Sequence, residues 1–183
     1  MKKFIVFLLI VGALYMAGKS GMNLGLVGNW MGLGGGAPGQ GGDARSTSDP
    51  VYAEIRLRAE VHDRTFNLVI LGKAFDQTDC QAISKDLLDR MQTRQNQGGP
   101  FEWQLVSSEC KQVLDSRDAR LFDNKPTFVN YLSASPGAST ERETRMVFWG
   151  VTAQEGDKIC GLIPQWQERW KGALTCIHAL PSQ

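Results

Sequence analysis

Residues 68–80 read LVILGKAFDQTDC, and residues 146–160 read MVFWGVTAQEGDKIC. Each begins with an apolar run, meets a glycine, passes through a polar stretch and arrives at a cysteine. Short runs of Leu, Val, Ile, Phe and Trp bounded by glycine have the composition of buried strands. The polar stretch has the composition of a helix entry. In the first copy Asp76 or Thr78 can accept hydrogen bonds from the first free N–H groups, and Asp79 puts negative charge where the helix dipole favours it. A strand handing over to a helix beside a cysteine, written twice, decides the expected fold.

The flanking sequence extends both copies in the same way. Tyr52, Glu54, Arg56, Arg58 and Glu60 alternate with Val51, Ala53, Ile55, Leu57, Ala59 and Val61, a period of two with one apolar face. His62-Asp63-Arg64 supplies a turn, Phe66–Leu71 is the partner strand, and Gly72 closes it. A helix over 78–95 carries Cys80, Ile83, Leu87 and Met91 at three- and four-residue spacing. QNQGGP (95–100) stops the helix, and WQLVSSEC (103–110) is a third strand. In the second half, Thr127–Ala134 and Thr144–Val151 pair around the polar turn SPGASTERE (135–143). A helix follows near Asp157, with Ile159, Leu162, Ile163, Trp166 and Trp170 on one face; Pro164 kinks it or resets its first turn. Gly172 ends this helix, and ALTCIHA (173–179) carries the last strand. The expected fold is therefore α+β: duplicated ββαβ units, about 51–113 and 124–181, forming a mainly antiparallel sheet with two helices packed on it.

The four cysteines have no C-x-x-C pair, which removes the usual signal of a thioredoxin-like centre and weakens a zinc site. In an exported chain they are expected as two disulfides. A helix that returns over its following strand brings its own start near the end of that strand. From Cys80 to about residue 95 the helix rises roughly 23 Å, and from 103 to Cys110 the strand advances about 23 Å. In the second half the helix rises about 15 Å and the strand about 13 Å. The matched lengths favour Cys80–Cys110 and Cys160–Cys176.

Lys2 and Lys3 precede the uncharged apolar run FIVFLLIVGALYMAG, residues 4–18, and Lys19 follows it. This is the pattern of an export signal. Tyr15 or Met16 stands where a cleavage site needs a small residue, so residues 1–20 are read as an uncleaved inner-membrane anchor, with a cleaved signal and a secreted domain as the alternative. Lys19 can snorkel to extend a span that is short against the roughly 20 residues a bilayer needs. The leading lysines hold the N-terminus inside and direct the rest of the chain outward. Residues 21–50 are a Gly-rich linker: ten of the chain's 20 glycines lie between Gly21 and Gly42. The glycines at 18, 21, 25, 28 and 32 also draw a helical stripe, but LGGGAPGQGG (33–42) reads as linker.

Residues 51–183 hold 16 Lys/Arg against 17 Asp/Glu, and no basic run. Nucleic acid is excluded as a partner on that balance. Cys80 and Cys160 sit where a helix start can activate a thiol, yet each has a structural partner. His62 and His178 are far apart in sequence, and no nucleophile-elbow glycine pattern accompanies them. Asp115, Asp118, Asp123, Glu141 and Glu143 fall in polar segments read as solvated surface. Trp103, Trp149, Trp166 and Trp170 are read as core. The expectation is a membrane-tethered extracytoplasmic binding or assembly module without catalytic activity or cofactor, serving an envelope protein or polymer. An envelope enzyme or thiol-redox protein is the alternative. The segments Glu141–Arg145 and Asp115–Arg120 are the expected contact surfaces, being too polar for a core.

Overall fold

The structure is a computed structural model that describes residues 50–61, 64–96, 102–138, 141–168 and 170–180. The anchor at 1–20, almost all of the linker, His62 and Asp63 of the first turn, and the glycines after the first helix lie outside the described residues. Among the described residues no helix is long and apolar enough to cross a membrane.

The alternating segment forms strand β1, Val51–Val61, and pairs with β2, Arg64–Ala74, in continuous register from Val51↔Ala74 to Val61↔Arg64. Arg64, expected in the turn, is the first residue of β2. Helix α1 follows at Gln77–Asn96, and Asp79 donates its backbone N–H to Asp76 Oδ1 at 2.8 Å. Strand β3, Glu102–Lys111, returns alongside β1. The connector carries a short helix α2, Ser116–Ala119, and a 3-10 turn, Arg120–Asp123. Strands β4, Asn130–Ser135, and β5, Thr144–Trp149, pair antiparallel, and β6, Ala173–Ile177, pairs with β4.

The second helical region is broken into α3, Ala153–Cys160, and α4, Ile163–Gln167. Proline lacks an N–H and clashes with the carbonyl four residues earlier, so the helix stops before Pro164 and restarts with it in the first turn. Thr152 and Glu155 form a capping box at the start of α3.

The six strands lie in the order β3-β1-β2-β5-β4-β6, all antiparallel. The fold is α+β. Strands β1–β3 and β4–β6 take the same relative order, third-first-second, and meet where β2 pairs with β5 from Asn67↔Trp149 to Gly72↔Thr144. On one face Ile55, Leu57, Ile70, Leu132 and Met146 pack with Leu87 and Met91 of α1, with Leu162, and with Trp166 of α4. On the other face Val69, Leu71, Tyr131, Val147 and Ile177 pack with Leu114 and Leu121 of the connector. The central strands thus form the middle of three layers, with α1, Leu162 and α4 on one face and the connector on the other, while the edge strand β3 is largely exposed.

Disulfides join Cys80 to Cys110 and Cys160 to Cys176, with Cα atoms 6.0 and 5.5 Å apart. These are the pairs favoured by matched lengths. Such bonds fit an oxidising, extracytoplasmic location.

Candidate functional site

Strand β3 is a sheet edge: among the described residues it pairs only with β1, so its outward N–H and C=O groups are open. Helix α1 runs above it, and between them lies a groove of about 380 Å³. Gln77, Gln81, Ser84, Lys85 and Leu88 line the helix side; Ser108, Glu109 and Cys110 line the strand side. Positions 77, 81, 84 and 85 recur at helical spacing and form a polar stripe that meets the apolar face at Leu88.

The groove has uncharged hydrogen-bonding groups at its floor. Ser84 is 6% exposed, and its hydroxyl has no hydrogen-bond partner among the described residues. An unsatisfied buried hydroxyl is costly, so the groove beside it offers a place where a water or a bound group gains a hydrogen bond. Lys85 donates to Asp89 at 2.6 Å, a bond that holds the lysine above its usual pKa and cancels most of the charge on that wall. Leu105, 52% exposed, and Val106 lie farther along β3, at the bulge where its register against β1 shifts. The arrangement offers backbone donors and acceptors at strand spacing, neutral side chains able to give or accept hydrogen bonds, and apolar side chains at one end. Two carboxylates, Asp89 and Glu109, also line the groove, the first bound to Lys85.

The opposite face of the sheet carries a network of charges beneath the connector. Glu54 is 2% exposed and pairs with Arg56 Nε at 2.7 Å and Lys111 Nζ at 2.9 Å. Arg56 also reaches Asp118 Oδ2 at 3.1 Å. Burial alone raises the Glu54 pKa, but the bonds from Lys111 and Arg56 outweigh it and hold the carboxyl below its ordinary range. Asp118 goes the other way: burial first, and then the neighbouring Asp115 and Glu54 charges, push it up. Asp115 caps α2, and its carboxylate accepts from the N–H groups of Arg117 and Asp118.

Of the two segments expected as exposed contact surfaces, Asp115–Arg120 is exposed apart from Asp118, whereas Glu141–Arg145 is buried or half-buried and structural. Glu141 is 3% exposed and its carboxylate accepts from four backbone N–H groups: Gly137, Ala138, Lys171 and Gly172. Arg145 is fully buried and donates to the carbonyls of Leu121 and Thr144, both at 2.9 Å, and to Glu143 at 2.7 Å. Arg142 clamps Asp79 at the start of α1 through Nε and Nη2 at 3.0 and 3.1 Å. In the connector Asp118 is buried while Ser116, Arg117 and Arg120 remain exposed. Polar side chains enter this core because backbone groups and counter-charges await them.

Trp166 and Trp170 are buried, and Trp103 and Trp149 are half-buried against the two cores, as helical and strand periodicity implies. His178 is exposed, with Nδ1 at 3.4 Å from Asp157 Oδ1. Sequence reasoning missed the groove. Its signal was present in the polar stripe 77-81-84-85, but only the neighbouring strand makes that stripe a wall. No family model matches the chain, and no curated protein or solved structure matches it either.

Proposed function

We propose that the chain is an extracytoplasmic binding module, held at the inner membrane by residues 1–20 and presented on the linker 21–50, that takes an extended polypeptide segment of an envelope protein beside β3. The observation that carries this reading is that a strand edge and the buried Ser84 hydroxyl of a polar groove, both without a partner among the described residues, lie side by side. A peptide added to β3 would satisfy the free backbone groups, and alternate side chains would enter the groove or face solvent. The near-neutral charge favours recognition by shape and local hydrogen bonds. The matching strand order of the two halves supports a duplicated ββαβ unit, in which only the first half keeps a long helix over its edge strand.

The test is selection of peptides from a random displayed library against the intact protein in detergent, followed by affinity measurement on the enriched sequences. Gln81→Trp fills the groove from an exposed helix position and should abolish binding while leaving the melting temperature nearly unchanged. Enriched peptides that bind the Gln81→Trp protein as well as the wild type would refute the groove as the site.

A further inference from the structure

The second disulfide is surrounded differently from the first. Asp157 and Cys160 are three residues apart on α3, which places them on one helix face. Cys176 and His178 are two residues apart along the line of β6, which places them on one side of the strand. The fold turns these two faces toward each other. The donor atoms of Cys160, Cys176 and His178 all lie within 4.8 Å of one another, and Asp157 Oδ1 lies 3.4 Å from His178 Nδ1. In a tetrahedral zinc site with bonds of 2.0–2.3 Å, ligand atoms stand roughly 3.3–3.8 Å apart. The imidazole and carboxylate already stand at that spacing; to complete the set the two sulfurs must separate, and the Asp157 carboxylate, which lies beside His178 but outside the cluster of three, must turn toward them.

We propose that reduction of Cys160–Cys176 creates a zinc site with the thiolates of Cys160 and Cys176, the imidazole of His178 and the carboxylate of Asp157 as ligands. Two thiolates with one nitrogen and one oxygen form a set that suits zinc better than the hard cations calcium or magnesium. The reductant is a dithiol: it gives two electrons and two protons to the bridge and leaves as its own disulfide. Both new thiols then lose their protons to solvent as the metal binds. Both sulfurs of this bridge belong to half-buried residues, whereas the other bridge has one half-buried cysteine, Cys110, and one completely buried, Cys80. The side chains of His178 and Asp157 are 57% and 67% exposed. The bridge also ties a short helix to the edge strand β6 and lies away from the β2–β5 junction, so opening it leaves the middle of the sheet in place.

The experiment uses the intact protein in detergent, reduced with a phosphine. The phosphine becomes its oxide, with water supplying the oxygen and the thiol protons. Alkylation and peptide mapping identify which bridge has opened, and Co²⁺ is then added as a spectroscopic substitute for Zn²⁺. The expected result is a thiolate-to-cobalt charge-transfer band with tetrahedral ligand-field bands, abolished by Zn²⁺ and absent from the oxidised protein. His178→Ala and Asp157→Asn should each weaken zinc binding at least 10- to 100-fold, the loss typical of even outer-shell partners. A second readout needs no spectrum: in a thiol–disulfide redox buffer of fixed ratio, where opening is reversible, added Zn²⁺ should increase the fraction of Cys160–Cys176 opened and leave Cys80–Cys110 unchanged. The proposal is overturned if the opened chain gives no thiolate band, if zinc leaves the extent of opening unaltered, or if both substitutions leave the affinity at the wild-type value.

Discussion

Glu54 and Asp118 lie in one buried charge network, yet removing their charges should have different consequences. Glu54 faces two cations, so Glu54→Gln leaves Arg56 and Lys111 short of a counter-charge under the connector. A loss of about 1.5–3 kcal/mol is expected, the range for hydrogen bonds to charged groups. Asp118 carries its charge against burial and against two other acids. Asp118→Asn should therefore cost less than Glu54→Gln in a denaturant melt at pH 7. The pH dependence follows with opposite signs. Glu54 and Glu143 titrate below their ordinary range because cation hydrogen bonds outweigh burial. They stabilise the fold above their unfolded value of roughly 4.3, and that contribution disappears as pH falls through the lower folded values. Asp118, raised by burial, destabilises the fold at neutral pH, and its protonation restores stability on acidification. The melting temperature should fall between pH 6 and pH 3, less steeply in Glu54→Gln and more steeply in Asp118→Asn. Equal slopes in all three proteins would show that the network does not govern acid stability. None of this was legible residue by residue, because Asp118 and Glu141 look alike in composition to solvated turn residues.

At the scale of elements, two chain segments cross closely where Gly137 meets Gly172. A Cβ on Gly172 would collide with the carbonyl oxygen of Ser135 and the backbone nitrogen of Gly137. The same two glycines donate to the Glu141 carboxylate. Gly172→Ala should cost about 1–3 kcal/mol by overpacking, and a chemical melt that matches the wild type would contradict this contact. The sequence reading of Gly172 as the stop of a helix was incomplete, since α4 ends at Gln167 and the glycine is needed for a close crossing. A second element-scale test is Thr152→Ala. It removes the capping box at the start of α3 and should cost about 1 kcal/mol. Helix α1 was legible almost to its ends because caps and periodicity are local. The break between α3 and α4 was half-legible, because proline announces a disturbance but not which side of it folds.

For the whole molecule, the two bridges close loops of different length, with separations of 30 and 16 residues. Paired Cys→Ala changes at either bridge should each lower stability by about 3–4 kcal/mol on the loop-entropy account. Calorimetry should find the Cys80–Cys110 variant the less stable of the two, because that bridge is fully buried at Cys80 and sits in the cluster with Val51, Ala53 and Ala74. The proposed tether makes its own prediction. Mass spectrometry of the native protein should find the N-terminal sequence intact, apart from possible loss of Met1, and the protein should stay with membranes after a high-salt wash. A mature chain beginning after residue 17 would convert the anchor into a cleaved signal.

Period-two alternation, helical spacing and matched lengths determined by themselves the α+β class, the order of the six strands and the two main helical regions along the chain, and the favoured cysteine pairs, but not the connector helix α2. All of these depend on residues close together in sequence or on the reach of a regular element. Only the tertiary structure decided that β2 and β5 join the halves, since many antiparallel orders satisfy the same alternation. It also decided that Glu141 and Arg145 are buried, because their partners lie far along the chain: Gly172 is 31 residues from Glu141, and Leu121 is 24 from Arg145. The groove beside β3 and the gathering of Asp157, Cys160, Cys176 and His178 arise in the same way. A side chain's chemical opportunity is set by what faces it, and in this chain the facing group belongs to another element.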